Sequence, residues 1–134
     1  MNIEVSTEQA RVPVTILHVE GDIDSFTYND FLSQAQKLIK EGARYMIIDL
    51  AQVPYVSSAG LRAIYTIFHD LRAVHPEENL SEEQMEKAVR METYKSPHLK
   101  LLNLSNNVNG VFQMGGFGRY IETFTDREKA LASF

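Results

Sequence analysis

Cysteine and tryptophan are both missing from this sequence of 134 residues. Without cysteine the chain has no disulfide framework, thiolate metal site, iron–sulfur cluster or cysteine nucleophile. It also lacks an apolar run of about 18 residues, the length that a membrane-spanning helix requires. Its first residues contain neither the basic segment nor the apolar segment of a secretory signal. These absences predict a cytoplasmic protein without a membrane span.

An excess of positive charge is missing as well. Lys and Arg number 13 against 18 Asp and Glu, which gives a net charge of −5. Proteins that bind the phosphate backbone need the opposite sign, so the sequence argues against a nucleic-acid partner. The hydrophobic fraction of 44% and the charged fraction of 23% are close to the averages of globular proteins. The length then predicts a single folded domain over residues 1–134.

Hydrophobic periodicity switches repeatedly between the strand and the helix pattern. Alternation and β-branched residues over 3–6 and 12–19 predict two opening strands, possible partners in a hairpin. Apolar residues at steps of three and four over 28–39 predict a helix, which Gly42 is suited to end. Further strands are predicted over 45–50, 99–104 and 120–124, and further helices after Ser57 or Ser58 and after Ser105. Thr125 and Glu128 fit a capping box, which predicts a last helix capped by Thr125. Strands that alternate with helices indicate an α/β fold with a four- to five-stranded, mostly parallel sheet and about four helices.

One segment interrupts this alternation. Residues 75–98 carry six acids and three bases, so they contribute −3 of the net charge. They separate a helix from a strand, where a connection of a few residues is usual. Ser81 and Gln84 match a capping box, which predicts a short extra surface helix. We interpret the segment as an insertion, either merely tolerated or used as a contact surface for a partner.

Several site types can be tested on the residues alone. The four histidines, at positions 18, 69, 75 and 98, have no metal-ligand spacing. The glycines at 115, 116 and 118 follow a predicted helix, whereas phosphate-binding loops follow a strand and open a helix. Asp22, Asp24 and Asp49 resemble the acidic set of a response-regulator receiver, but their separation is too short and no lysine closes the last strand. None of these patterns therefore predicts a metal or a cofactor.

The most informative stretch runs from Asp49 to Arg62. A buried strand leads through a loop to Ser57 and Ser58, where either serine could cap the following helix. One interpretation is purely structural, a cap followed by small residues. The alternative is regulatory phosphorylation, because a helix N-terminus tolerates the added negative charge. A serine nucleophile is disfavoured, since Val56 stands where the first glycine of a G-x-S-x-G elbow belongs.

This stretch resembles the signature of STAS domains, in particular stand-alone bacterial anti-sigma factor antagonists. The resemblance rests on residues 55–61, Tyr-Val-Ser-Ser-Ala-Gly-Leu, together with residues 21–24, Gly-Asp-Ile-Asp. It extends over residues 99–131 and leaves out 75–98. It implies the STAS fold, which agrees with the element order derived above.

The resemblance also implies a function and a set of residues. Ser58 takes the place of the family's phosphoacceptor, with Ser57 as the less favoured acceptor. The implied activity is that of an anti-sigma factor antagonist, a binding protein rather than an enzyme, and without a cofactor. It binds an anti-sigma serine kinase when unphosphorylated, leaves it after phosphorylation, and is reset by a phosphoserine phosphatase. The implied partner-binding residues are Asp24, Ser25, Ser57, Ser58, Ala59, Gly60 and Arg62.

Two departures from the family pattern bear on recognition by the kinase. Ser57 occupies the position of the usual aspartate, and Arg62 a position often taken by glycine. Gly60 is expected to let the start of the helix pack closely below the acceptor. A second hypothesis, which the residues leave open, is a STAS module that is never phosphorylated and serves as a scaffold in a signalling or transport complex.

Overall fold

The two opening strands form a hairpin, as predicted, and begin a five-stranded sheet. The structure is a computed structural model, and it describes residues 1–75, 81–91 and 94–134. Strands β1 (Asn2–Gln9) and β2 (Pro13–Glu20) pair antiparallel. Strands β3 (Met46–Gln52), β4 (Leu99–Leu102) and β5 (Glu122–Phe124) continue the sheet in chain order, each parallel to its neighbour. The expected α/β fold with a mostly parallel sheet is confirmed.

In the described ranges, five helices connect and cover the strands. They are α1 (Tyr28–Lys40), α2 (Ser58–Ala73), α3 (Glu82–Arg90), α4 (Asn106–Met114) and α5 (Arg127–Ala132), with a short 3-10 turn at Phe117–Arg119. Gly42 follows α1 with a φ of 116°, the left-handed conformation predicted for it. Ser81 and Gln84 form the predicted capping box of α3. Within the described residues, no helix is long and apolar enough to cross a membrane.

One predicted cap is wrong. Thr125 was expected to cap the last helix, but α5 begins one residue later and Asp126 is its N-cap. The Asp126 carboxylate accepts hydrogen bonds from the backbone N–H groups of Glu128, at 2.9 Å, and Lys129, at 3.3 Å. An ionised carboxylate is a better acceptor than a hydroxyl at the positive end of a helix. The predicted capping box at Thr125 is therefore not formed, and the charged side chain of Asp126 caps the helix instead.

The two faces of the sheet are covered by hydrophobic clusters of different size. Leu17, Val19, Ile48 and Leu50 point into the main core, which is built with α1 and α2 and joined by Met85 of α3. The opposite face is covered by a smaller cluster around Ala130 of α5. The carboxyl ends of the parallel strands lie at one edge of the sheet, where their loops lead into helices.

Candidate functional site

Two loops meet at this edge, and Ile23 joins them. They are the β2–α1 loop (residues 21–27) and the β3–α2 loop (residues 53–57). The N–H group of Ile23 donates to the carbonyl oxygen of Tyr55 at 3.0 Å, and the N–H group of Ser57 donates to the carbonyl oxygen of Ile23 at 2.9 Å. Ile23 thus forms a parallel bridge with Val56, and both side chains are buried. The residues implied by the resemblance at 24–25 and at 57–62 are thereby brought to one place.

Gly60 permits this close approach. A Cβ atom at position 60 would lie 2.6 Å from the carbonyl oxygen of Ile23 and 2.7 Å from a methyl carbon of Val56. Real Cβ atoms do not come so near to backbone oxygen atoms, so any side chain here would push the two loops apart. The expected packing role of Gly60 therefore has a defined contact, the carbonyl group of Ile23.

The two adjacent serines have different structural roles. Ser57 is the N-cap of α2, and its hydroxyl oxygen accepts a long hydrogen bond of 3.4 Å from the N–H group of Gly60. Ser58 is the first residue of the helix and is exposed. Among the described residues its hydroxyl has no hydrogen-bond partner. Of the two hydroxyls, the one on Ser58 is therefore free to react.

The β2–α1 loop is held by its own side chains. The carboxylate of Asp24 accepts from the N–H groups of Phe26, at 2.9 Å, and Thr27, at 3.1 Å. The hydroxyl of Thr27 donates to the carbonyl oxygen of Asp22 at 2.7 Å. Asp24 therefore shapes the loop through one of its own oxygens, while Ser25 and Phe26 remain exposed on it.

Arg62 lies one helical turn beyond Ser58 and is exposed. It borders a shallow cavity of about 270 Å³ between α1 and α2, which is also lined by Tyr28 and Ala59. Among the described residues Arg62 forms no ion pair. Ala59 itself is only 7% exposed, so it supports this surface from beneath rather than projecting from it.

A chain of three polar side chains beside this edge was not foreseen in the sequence. His18 and Asp49 are register partners on β2 and β3, and Nδ1 of His18 lies 2.9 Å from Oδ2 of Asp49. Nε2 of His18 lies 3.0 Å from the hydroxyl oxygen of Ser6 on β1. The other Asp49 oxygen accepts from the N–H group of Ala51 at 3.1 Å. These hydrogen bonds link β1, β2 and β3, and both carboxylate oxygens of Asp49 have hydrogen-bond partners within the protein.

The remaining histidines lie away from this edge. The rings of His75 and His98 are buried and stacked, with centroids 3.6 Å apart, and Nε2 of His75 contacts the carbonyl oxygen of Arg44 at 2.7 Å. His69 borders a cavity of about 360 Å³ between α2 and α3. Burial raises the pKa of Tyr120, which lines the same cavity. In the described ranges, no group of three His, Asp or Glu side chains could hold a metal ion.

Comparison with known proteins identifies the family. The model of the STAS domain family matches residues 5–77, which is more than half of the chain. The chain belongs to the STAS domain family. The match covers most of β1, the strands β2 and β3, the helices α1 and α2 and both loops that Ile23 joins.

One curated relative and two solved structures are similar to this chain over most of its length. BtrV of Bordetella bronchiseptica, which is named as an anti-sigma factor antagonist, is 26% identical over 116 residues, 87% of this chain and 82% of BtrV. The anti-sigma factor antagonist SpoIIAA in its unphosphorylated form superposes with a TM-score of 0.69 at 18% identity, covering 97% of this chain and 93% of SpoIIAA. Phosphorylated SpoIIAA from Bacillus gives 0.62 at 17% identity, covering 97% and 96%. The solved structures share the fold of this STAS protein.

Proposed function

We propose that this STAS protein is an anti-sigma factor antagonist that works as a phosphorylation switch. Its unphosphorylated form binds an anti-sigma serine kinase through the face around Ser58. The kinase transfers the γ-phosphoryl group of ATP to the hydroxyl oxygen of Ser58, the proton of that hydroxyl is released, and the complex dissociates. A phosphoserine phosphatase then restores the binding form. The protein supplies the acceptor and the docking surface, while its partners carry out the chemistry.

The observation that carries this proposal is the position of Ser58. Its hydroxyl is exposed at the first residue of α2. The helix follows directly on the two loops that Ile23 fixes to each other. Ser57 is engaged as the helix cap, which favours Ser58 as the acceptor. Membership of the STAS family, the relative BtrV and the fold of SpoIIAA support the same function.

The start of α2 is suited to carry a phosphate without unfolding. A phosphoserine has a charge of about −1.5 to −2 at neutral pH. The helix N-terminus offers free amides and the positive end of the helix dipole. The first turn of α2 contains no acidic side chain that would repel the phosphate. The added charge therefore mainly weakens binding of the partner, because a bound partner would have to strip water from the phosphate.

The seven residues of the partner-binding face form an outer layer and a buried layer that supports it. Asp24, Ser25, Ser57, Ser58 and Arg62 belong to its outer layer. Ala59 and Gly60 are buried below it and set its shape. This division adds to the expectation from sequence, which assigned all seven residues to binding without distinction.

Phosphorylation by the anti-sigma serine kinase of the source organism tests the proposal. The purified protein is incubated with that kinase and ATP, and the modified residue is located by mass spectrometry. We expect one phosphoryl group on Ser58 in the wild type and in Ser57→Ala, and none in Ser58→Ala. We also expect Ser58→Asp to lose kinase binding, because it places a permanent charge at the same point.

Matched variants separate the outcomes of this experiment. Ser105→Ala removes another N-cap hydroxyl, that of α4, and should be phosphorylated like the wild type. Phosphate on a residue other than Ser58, or kinase binding unchanged by Ser58→Asp, would contradict the switch. Binding without any phosphorylation would instead favour the scaffold hypothesis.

Arg62 is expected to contact the phosphate once it is present. Residues four apart on a helix lie on one face, so Arg62 can pair with phosphoserine 58. A nearby cation favours the doubly charged phosphate and lowers its second pKa. Arg62→Ala should therefore raise that pKa by about 0.4 of a pH unit, the equivalent of about 0.5 kcal/mol. A phosphorus NMR titration of the phosphorylated protein measures this shift.

Arg11→Ala is the control for this titration. Arg11 is exposed and lies in the β1–β2 turn, at the opposite edge of the sheet. Its removal changes the net charge equally but should leave the phosphate pKa within error of the wild-type value. Equal shifts in both variants would mean that Arg62 acts only through overall charge.

A further inference from the structure

Phe26 is the most exposed large apolar side chain that the structure describes. It is 93% exposed, followed by Met114 at 91%, while Tyr55 is 50% exposed. A phenylalanine so fully in water contributes nothing to the core, although it could bury a large apolar area in a complex. Aromatic side chains in this situation are typical anchors of protein interfaces. Phe26 is therefore a candidate for such a role.

The backbone at Phe26 is organised in advance. The carboxylate of Asp24 accepts from its N–H group, and the hydroxyl of Thr27 is bonded to the backbone of Asp22 and Asp24. These bonds fix the loop on both sides of Phe26 before any partner is present. Binding through a preformed loop loses less conformational entropy than binding through a mobile one. Asp24 consequently has a positioning role toward Phe26.

Phe26 lies on a loop that is hydrogen-bonded to the loop before Ser58. Ile23 forms the link, through backbone hydrogen bonds to Tyr55 and to Ser57, the residue directly before Ser58. Tyr55 adds a second partly exposed aromatic side chain to the joined loops. Met114, by contrast, ends α4, whose first residue follows β4, so it lies toward the other end of the sheet. The apolar exposure of Phe26 thus coincides with the proposed acceptor site.

We infer that Phe26 anchors this protein to its kinase by inserting into an apolar pocket of the kinase beside the site of phosphoryl transfer. This inference rests on the proposed function. The phenyl ring is remote from the reacting hydroxyl in the chain and carries no reactive group. It therefore supplies binding, and the affinity that it adds is available both before and during the transfer. Its loss raises KM for phosphorylation of Ser58 and leaves kcat unchanged.

The experiment compares Phe26→Ala with Met114→Ala, using the anti-sigma serine kinase of the source organism with ATP. Both variants remove a large apolar side chain that is more than nine-tenths exposed, so neither should alter folding. We expect Phe26→Ala to weaken binding and to raise KM by about tenfold or more, the effect typical of an interface hot spot. Met114→Ala should behave like the wild type. Phe26→Leu, which keeps part of the apolar area, should give an intermediate KM.

The outcomes separate this inference from the proposed function. If the wild type and Met114→Ala are phosphorylated on Ser58 and Phe26→Ala has the same KM, the anchor role is wrong and the switch stands. The anchor role is also wrong if Phe26→Ala lowers kcat alone. If the wild type is not phosphorylated and does not bind the kinase, the proposed function fails, and with it the inference. Thermal unfolding of all variants confirms that they remain folded.

Discussion

Gly60→Val is expected to destabilise the protein by about 3 kcal/mol and to weaken binding of the kinase in the same variant. Even the first carbon of a side chain would meet the carbonyl oxygen of Ile23 at 2.6 Å and a methyl carbon of Val56 at 2.7 Å. Overpacking of a rigid site costs about 1–3 kcal/mol. The cost is at the upper end here because the nearest atom belongs to the backbone of Ile23, which cannot change its rotamer as a side chain would. The strain falls on the bridge that joins the two loops, so stability and binding decline together. Chemical denaturation and kinase affinity measure the two effects.

Gly110→Val provides the matched control. Gly110 lies inside α4, and a Cβ atom there would meet nothing within 4 Å. Replacing glycine in a helix by a residue with better helix propensity is neutral or slightly stabilising when space is available. The denaturation midpoint of Gly110→Val should therefore equal or exceed that of the wild type. If both variants lost stability equally, the contact with Ile23 would not be the cause.

Glu122→Ala is the second substitution with a large expected effect. The side chain of Lys100 is only 3% exposed, and its ammonium group lies 2.6 Å from the carboxylate of Glu122 on the neighbouring strand. Removing the carboxylate leaves a buried cation without its ion-pair partner, which costs about 3–5 kcal/mol when both partners are buried. Glu122 is 40% exposed, so water can replace part of its effect, and we expect about 2 kcal/mol. The midpoint of chemical denaturation measures this loss.

Lys100→Met serves as the control for this pair. Methionine keeps the length of the buried side chain and removes the charge, and a buried ion pair is often no better than apolar packing. Lys100→Met should stay within about 1 kcal/mol of the wild type, and adding it to Glu122→Ala should recover most of the lost stability. A double variant as unstable as Glu122→Ala alone would show that Glu122 acts in another way.

Much of the fold was predictable because its signals are local. The helical spacing of apolar residues gave α1 and α2 close to their observed ends, and Gly42 ends α1 as expected. The continuous apolar run at 45–50 indicated a strand covered on both faces, and β3 is a central strand of the sheet. Ser105 and Ser81 cap the helices predicted for them. Each of these features depends on residues a few positions apart in the chain.

The rest of the site depends on contacts between distant residues. His18 and Asp49 are 31 positions apart, and their pairing follows from the register of β2 on β3, which no local pattern specifies. The link through Ile23 is made by backbone atoms, so its side chain gives no sign of it. Gly60 was expected to allow close packing, but only the fold reveals that its contact is Ile23. An aromatic residue in a polar loop, outside any helical or strand period, was the one signal for Phe26.

The predicted insertion at 75–98 remains an interpretation, and two of its stretches, 76–80 and 92–93, lie outside the described residues. Its helix α3 packs with Met85 against the core, and the cavity between α2 and α3 adjoins the C-terminal half of the Ser58 helix. Its effect on the choice of partner stays a prediction.

The stacking of His75 on His98 bears on the length of the connection between α2 and β4. The chain leaves α2 at one ring and enters β4 next to the other, with the ring centroids 3.6 Å apart. The segment that carries α3 therefore starts and ends at one place, and the entropy of closing a longer connection rises only slowly with its length. A longer connection on either side of α3 therefore need not move β4 or the edge of the sheet where Ser58 lies.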